Sequence, residues 1–343
     1  MTCFYAVRLA VHFCYFPSMK ALNMITRIDP ARIIRPCGLA LAFTCTASMA
    51  QLPPGMAEIN AEPDPTGTGP YPAMKEEVAS LPEHVVYRPR DLDVLGSMKL
   101  GVVAWGNGAC SDDGASSRFH LLELASHGYL VIANGRILSG PGVPLPQPRE
   151  PAAEGQLPPP RTHASQLTEA IDWAMKENDN RNSPYFHRID PNQIAVSGFS
   201  CGGVQALAVA GDPRIDTLIL QNTGIFKDAP PVNIPEMDIK KDALKKIHTS
   251  TLYILGGEKD IAYENGMDDF KRIDHVPVAV ANLLGAGHGG SYFKPNGGPV
   301  AQTAVHWLQW QLRGIVTDGK YFMGPDCGIC KDPAWSFESK NLK

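Results

Sequence analysis

The sequence contains no internal repeat and no run of basic residues, and only 19% of it is charged. A repeat architecture therefore has no support, and neither does an extended electrostatic surface for nucleic acid. Long hydrophobic runs are also missing. The apolar run from Cys37 to Ala47 falls far short of the roughly 20 residues that cross a bilayer, which argues against a membrane anchor. Cysteine is scarce beyond the N-terminal region: of eight, Cys3, Cys14, Cys37 and Cys45 precede residue 51, leaving Cys110, Cys201, Cys327 and Cys330. The pair Cys327 and Cys330 has no second pair of ligands and no thioredoxin-like context, so a zinc or redox role is disfavoured.

The 343 residues, 44% of them apolar, suit one large α/β domain or two small ones. Residues 1–50 read as an export signal. Arg27, Arg32 and Arg35 precede the apolar run, and Ser48-Met49-Ala50 makes a small-x-small cleavage site, with Met24 a candidate true start. The mature chain is expected to begin near Gln51, in a secreted or periplasmic setting. Removing the first 50 residues takes five of the 31 basic residues and one of the 35 acidic ones, so the net charge falls from −4 to −8. Nucleic acid and anionic membrane are poor partners for such a chain. Four cysteines in an exported protein suggest two disulfides, with three connectivities open. The favoured pairing is Cys327 with Cys330 and Cys110 with Cys201, because the two loops holding the latter must meet at one site.

One stretch organises the rest. The β-branched segment Ile194 to Ser197 leads into Gly198-Phe199-Ser200-Cys201-Gly202, and a helix-prone segment rich in Ala, Leu and Gln leaves it. A strand that turns sharply into a helix at a serine, with glycines two residues to either side, is a nucleophile elbow. Any Cβ at those glycines would clash with the crossing strand or helix. Ser200 is thereby presented at a helix N-terminus, where free N–H groups favour developing negative charge.

Around it the chain alternates strands and helices. Residues 51–83 are rich in Pro and Gly and read as an extended lead-in, with Val85 to Pro89 as an edge strand. Lys99 to Trp105, Tyr129 to Ala133, Thr217 to Leu220, Thr251 to Leu255 and Val276 to Leu284 read as buried strands of a parallel sheet. Amphipathic helices are expected over Ser116 to Ser126 and His163 to Lys176, the second with Leu167, Ala170, Ile171 and Ala174 on the sheet. A closing helix spans Pro299 to Leu312. Residues 137–161 carry eight prolines and read as a stiff surface insertion that leaves the sheet where its loops gather. The expectation is an α/β fold, a mostly parallel sheet covered by helices on both faces, over residues 84–318, followed by a cysteine-containing tail, 319–343.

In such a sheet the functional groups gather at the carboxyl ends of the strands. Three of those ends deliver Ser200, Asp260 and His288 in that order, the chain order of an α/β-hydrolase. A serine hydroxyl needs a base, an imidazole can take and return its proton, and a carboxylate fixes the imidazole's tautomer. Glu258, Glu264 and Asp268 compete with Asp260, which is the acid set just past a strand end where a turn can aim it. The N–H groups of Cys201 and Asn107 are expected to form the oxyanion hole. His127 and His120 are assigned to helix packing and surface. This chemistry calls for no metal or organic cofactor.

With these motifs in place, the sequence resembles the secreted α/β-hydrolases of the bacterial cutinase and polyester hydrolase type, with dienelactone hydrolases as more distant relatives. The resemblance covers about residues 66–313. It rests on Gly69-Pro70-Tyr71, the segment Ala125-Ser126-His127-Gly128-Tyr129, the run from Arg188 to Gly203, and His288 ahead of a Trp-bearing closing helix. It implies the same triad and oxyanion positions and places Phe199 and Tyr263 near the acyl-binding cleft. The chain departs from the pattern at Cys201, where those enzymes carry Met, and in the proline-rich insertion and the tail. The expected activity is cleavage of a small-molecule or polymeric carboxylic ester. Lactone or amide hydrolysis, a non-catalytic binding protein on the same scaffold, and a thiol redox protein are the alternatives.

Overall fold

Strands that are apolar at every position can be buried on both faces, and such strands build the centre of this protein. The computed structural model describes residues 55–144, 159–227 and 238–343. In chain order the elements are α1 (Met56–Ala61), β1 (Ala73–Glu77), β2 (His84–Pro89), β3 (Leu100–Gly106), α2 (Arg118–Ser126), β4 (Tyr129–Asn134), α3 (Ser165–Asp179), β5 (Ile189–Phe199) and α4 (Cys201–Ala208). There follow β6 (Thr217–Gln221), β7 (Ser250–Leu255), α5 (Tyr263–Arg272), β8 (Val278–Leu283), α6 (Gly298–Arg313), α7 (Val316–Gly319), α8 (Gly328–Lys331) and β9 (Trp335–Lys340).

The nine strands of the described residues form one sheet in the order β1-β2-β4-β3-β5-β6-β7-β8-β9. The six from β4 to β8 pair in parallel, while β1 and β2 at one edge and β9 at the other run antiparallel to their neighbours. Side chains alternate between two cores. Val102 and Ala104 of β3 join α3, α4 and α5 on one face, and Val103 and Trp105 join α2 and α6 on the other. The expected α/β architecture, mostly parallel and covered on both faces, is present.

Several boundaries differ from expectation. The lead-in, read as extended, supplies α1 and β1, so the strand over 85–89 is not an edge: β1 lies outside it. Residues 319–343, read as a tail, supply β9, which pairs along the whole length of β8. Every residue of α2 is buried, so it is not amphipathic. It packs on the sheet beside α6, and residues 68–71 cover it through bonds from Thr68 to the Glu123 carboxylate, from the Gly69 N–H to Ser126 Oγ and from the Tyr71 N–H to the Ser126 carbonyl. The predicted stripe of α3, Leu167, Ala170, Ile171 and Ala174, is fully buried on the sheet.

The two favoured disulfides are both formed, Cys110–Cys201 and Cys327–Cys330. No helix among the described residues is long and apolar enough to cross a membrane. The export signal over 1–50, the greater part of the proline-rich insertion over 137–161 and residues 228–237 lie outside the described residues.

Candidate active site

The geometry begins with three glycines. A Cβ on Gly198 would stand 2.3 Å from the Gly202 carbonyl oxygen, and one on Gly202 would stand 2.1 Å from the Gly106 carbonyl. The ends of β3 and β5 and the start of α4 therefore approach more closely than any side chain permits. The turn they enclose forces Ser200 to φ 53° and ψ −118°, a conformation an L-residue adopts only where its surroundings impose it. Its N–H donates to the Gln221 carbonyl and its own carbonyl accepts from Thr223 Oγ1, which locks the serine to the end of β6.

From that apex Ser200 Oγ lies 3.0 Å from His288 Nε2. His288 Nδ1 lies 2.7 Å from Asp260 Oδ1. The loop holding His288 follows β8 and is pinned to the end of β7 by a bond from the Gly287 N–H to the Gly256 carbonyl. Gly287 and Gly289, at φ 69° and 80°, give the loop its turn. Asp260 is only 3% exposed. Burial acts to raise its pKa, but hydrogen bonds from His288, the N–H groups of Ala262 and Gly256, and the Asn222 amide outweigh it and hold the carboxyl below its usual value. The competing acids lie elsewhere: Glu258 and Glu264 are exposed, and Asp268 pairs with Lys241 and Arg272. His127 pairs with Glu123. His120 is not at the surface but fully buried, against Trp105 and Tyr292.

A cavity of about 720 Å³ opens over Ser200. Its walls are mainly apolar or aromatic, with Phe199, Phe226, Ile261, Tyr292 and Phe293, and its polar lining consists of serines and His288. Phe199 lies at the cavity as expected, its ring 5.1 Å from that of His288. Tyr263 does not. It opens α5 and packs beside the core and a separate surface groove, and Ile261, two residues earlier in the turn, takes the place at the cavity.

Asn107 also lies off the cavity wall. It is fully buried, and its side-chain amide donates to the Ser111 and Asn134 carbonyls while its oxygen accepts from Trp105 Nε1. The part of that loop that reaches the cavity is Gly108, Ala109 and Cys110. Cys201, the other expected donor, lines the cavity at the first turn of α4, where N–H groups have no carbonyl one turn earlier to bond. Asn222, which sequence reasoning left without a role, bridges the site: its amide donates to Asp260 Oδ2 at 2.7 Å and to the Gly287 carbonyl at 3.3 Å. The signal was faint, a single polar residue at a strand end. Among the described residues no group of His, Cys, Asp or Glu could hold a metal ion.

Chemically, a hydroxyl bonded to an imidazole that is bonded in turn to a buried, ionised carboxylate can be deprotonated as it attacks a carbonyl. Compared with models of protein families and with curated proteins, the chain matches none.

Proposed function

We propose that the protein is a serine hydrolase on an α/β-hydrolase fold, cleaving carboxylic esters through an acyl-enzyme intermediate. One observation carries the reading: the continuous hydrogen-bonded line from Ser200 through His288 to Asp260, assembled from three strand ends at the mouth of one cavity. In this mechanism Ser200 Oγ attacks the ester carbonyl as His288 Nε2 takes its proton. Asp260 holds the imidazole with Nδ1–H toward itself and stabilises the imidazolium. The oxyanion is met by the Cys201 N–H and by an N–H of the 108–110 loop, each worth roughly 3 kcal/mol of transition-state stabilisation. His288 then protonates the departing alcohol, and water cleaves the acyl-enzyme by the same route in reverse.

The sequence resemblance to secreted polyester hydrolases favours esters, and the uncharged lining of the cavity favours an uncharged substrate. Two disulfides support an oxidising compartment, secreted or periplasmic. The test is a panel of chromogenic acyl esters, lactones and peptides offered to the wild type and to Ser200→Ala. The reading predicts turnover of esters by the wild type and loss of at least ~10³-fold in the variant. Esterase activity that survives in Ser200→Ala, or dies only with Cys327 and Cys330, contradicts it.

A further inference from the structure

The Cys110–Cys201 disulfide lies inside the proposed catalytic apparatus. Both half-cystines line the cavity. Cys201 directly follows Ser200 and contributes one proposed oxyanion donor, and Cys110 closes the short loop that holds the other. That loop is costly to hold in place: Ala109 and Cys110 are consecutive non-glycine residues in the left-handed region, at φ 54° and 43°, where each L-residue costs on the order of 1 kcal/mol. Such a conformation persists only where its surroundings over-determine it. Here the surroundings are the covalent tie to α4, the bond from the Ser111 N–H to the Gly108 carbonyl, and bonds from the N–H groups of Arg161 and Thr162 to the Cys110 carbonyl. Gln205, one turn along α4 from Cys201, donates to the Thr162 carbonyl and closes the circuit. The disulfide is the covalent link between the loop after β3 and the helix that carries the nucleophile.

We propose that Cys110 and Cys201 act, through their disulfide, as positioning residues for the oxyanion-binding N–H groups, so that reducing this bridge switches the enzyme off while the fold persists. The inference rests on the reading of the protein as a serine hydrolase. The fold persists because the sheet, its two cores and the contacts of α4 with β5 do not depend on the bridge, whereas the 108–110 loop has no other covalent tie to α4 and is otherwise held by hydrogen bonds alone. In the reduction, a thiolate of a small dithiol attacks one sulfur and expels the other as a thiolate. The dithiol's second thiolate then closes it to a cyclic disulfide, so two electrons and, at neutral pH, two protons end on Cys110 and Cys201. At 1% and 5% exposure, the two cysteines are reached through the cavity, so an occupied cavity slows the reaction.

The experiment compares the oxidised wild type, the wild type reduced with a dithiol, Cys110→Ala/Cys201→Ala and Cys327→Ser/Cys330→Ser, with kcat and KM measured for one chromogenic ester. Near-UV circular dichroism reports tertiary packing. The expected result is a kcat lowered about 10²- to 10³-fold, the effect of losing one oxyanion donor, in the reduced wild type and in Cys110→Ala/Cys201→Ala. KM changes by less than about threefold, the near-UV spectrum is kept, and reoxidation restores kcat in the wild type. Cys327→Ser/Cys330→Ser keeps the oxidised kcat. Full kcat in the folded, reduced protein overturns the proposal and leaves the hydrolase reading intact. Loss of the near-UV spectrum together with kcat overturns it as well, because the bridge would then hold the fold and not the loop. An oxidised wild type that hydrolyses no ester removes both.

Discussion

At the scale of single residues, the site depends on how Asp260 is held. Its carboxylate accepts from His288, two backbone N–H groups and Asn222, and these bonds hold it ionised well into acid. The sign follows: the carboxylate's stabilising effect is complete above its unfolded-state pKa and is lost as the pH falls through the lower, folded-state value. Asp260→Asn keeps the shape but turns the imidazole's proton the wrong way, and kcat should fall by about 10³- to 10⁴-fold with the ester panel as readout. Asn222 has φ 46°, so Asn222→Gly removes its amide without straining the backbone. That variant should lose about tenfold in kcat, the worth of one hydrogen bond to a charged acceptor at about 1.5 kcal/mol. An unchanged kcat would mean that the remaining donors suffice. Ser200, Asp260 and His288 were legible because each follows a strand end and the chemistry demands those types. Tyr263 was misplaced because near a turn a shift of one or two residues reverses the direction a group faces, and sequence spacing does not fix that direction.

At the scale of elements, α2 shows what tertiary packing does to a pattern. Burial on every side leaves His120 Nδ1 without a hydrogen-bond partner while Nε2 meets the Gln221 amide, and burial pushes its pKa down to about 3. Between that value and 6.5 the unfolded chain binds a proton that the folded one refuses, so this residue makes stability fall as the pH falls, by up to about 1.4 kcal/mol per pH unit. Asp269 opposes it: burial outweighs the Lys241 ammonium and pushes the carboxyl up to about 6. The prediction is therefore a difference. Urea unfolding at pH 7 and pH 5 should show the wild type losing more stability than His120→Asn over the same interval. Equal losses would contradict a neutral, buried His120. The strands of the sheet's centre were readable from continuous β-branched and apolar runs. β1 and β9 were not, because they are edge strands of mixed polarity, Met74-Lys75-Glu76-Glu77 and Ser336-Phe337-Glu338-Ser339, and their pairing comes from a neighbour distant in sequence.

For the whole molecule, the two disulfides should contribute very differently to stability. Cys110–Cys201 spans 91 residues of chain and Cys327–Cys330 only three. By loop entropy the first constrains the unfolded chain by about 4–5 kcal/mol and the second by about 2 kcal/mol. Urea unfolding of the two double variants should reproduce that order, and a larger loss from the short bridge would contradict it. The parallel centre of the sheet brings three strand ends to one rim, and the central claim is that these ends make Ser200 a nucleophile. Its most direct test is a fluorophosphonate probe followed by intact-mass and peptide mass spectrometry. The account predicts one label per chain, on Ser200, with none in Ser200→Ala. A folded wild type that takes no label, or takes it at another residue, would contradict the account.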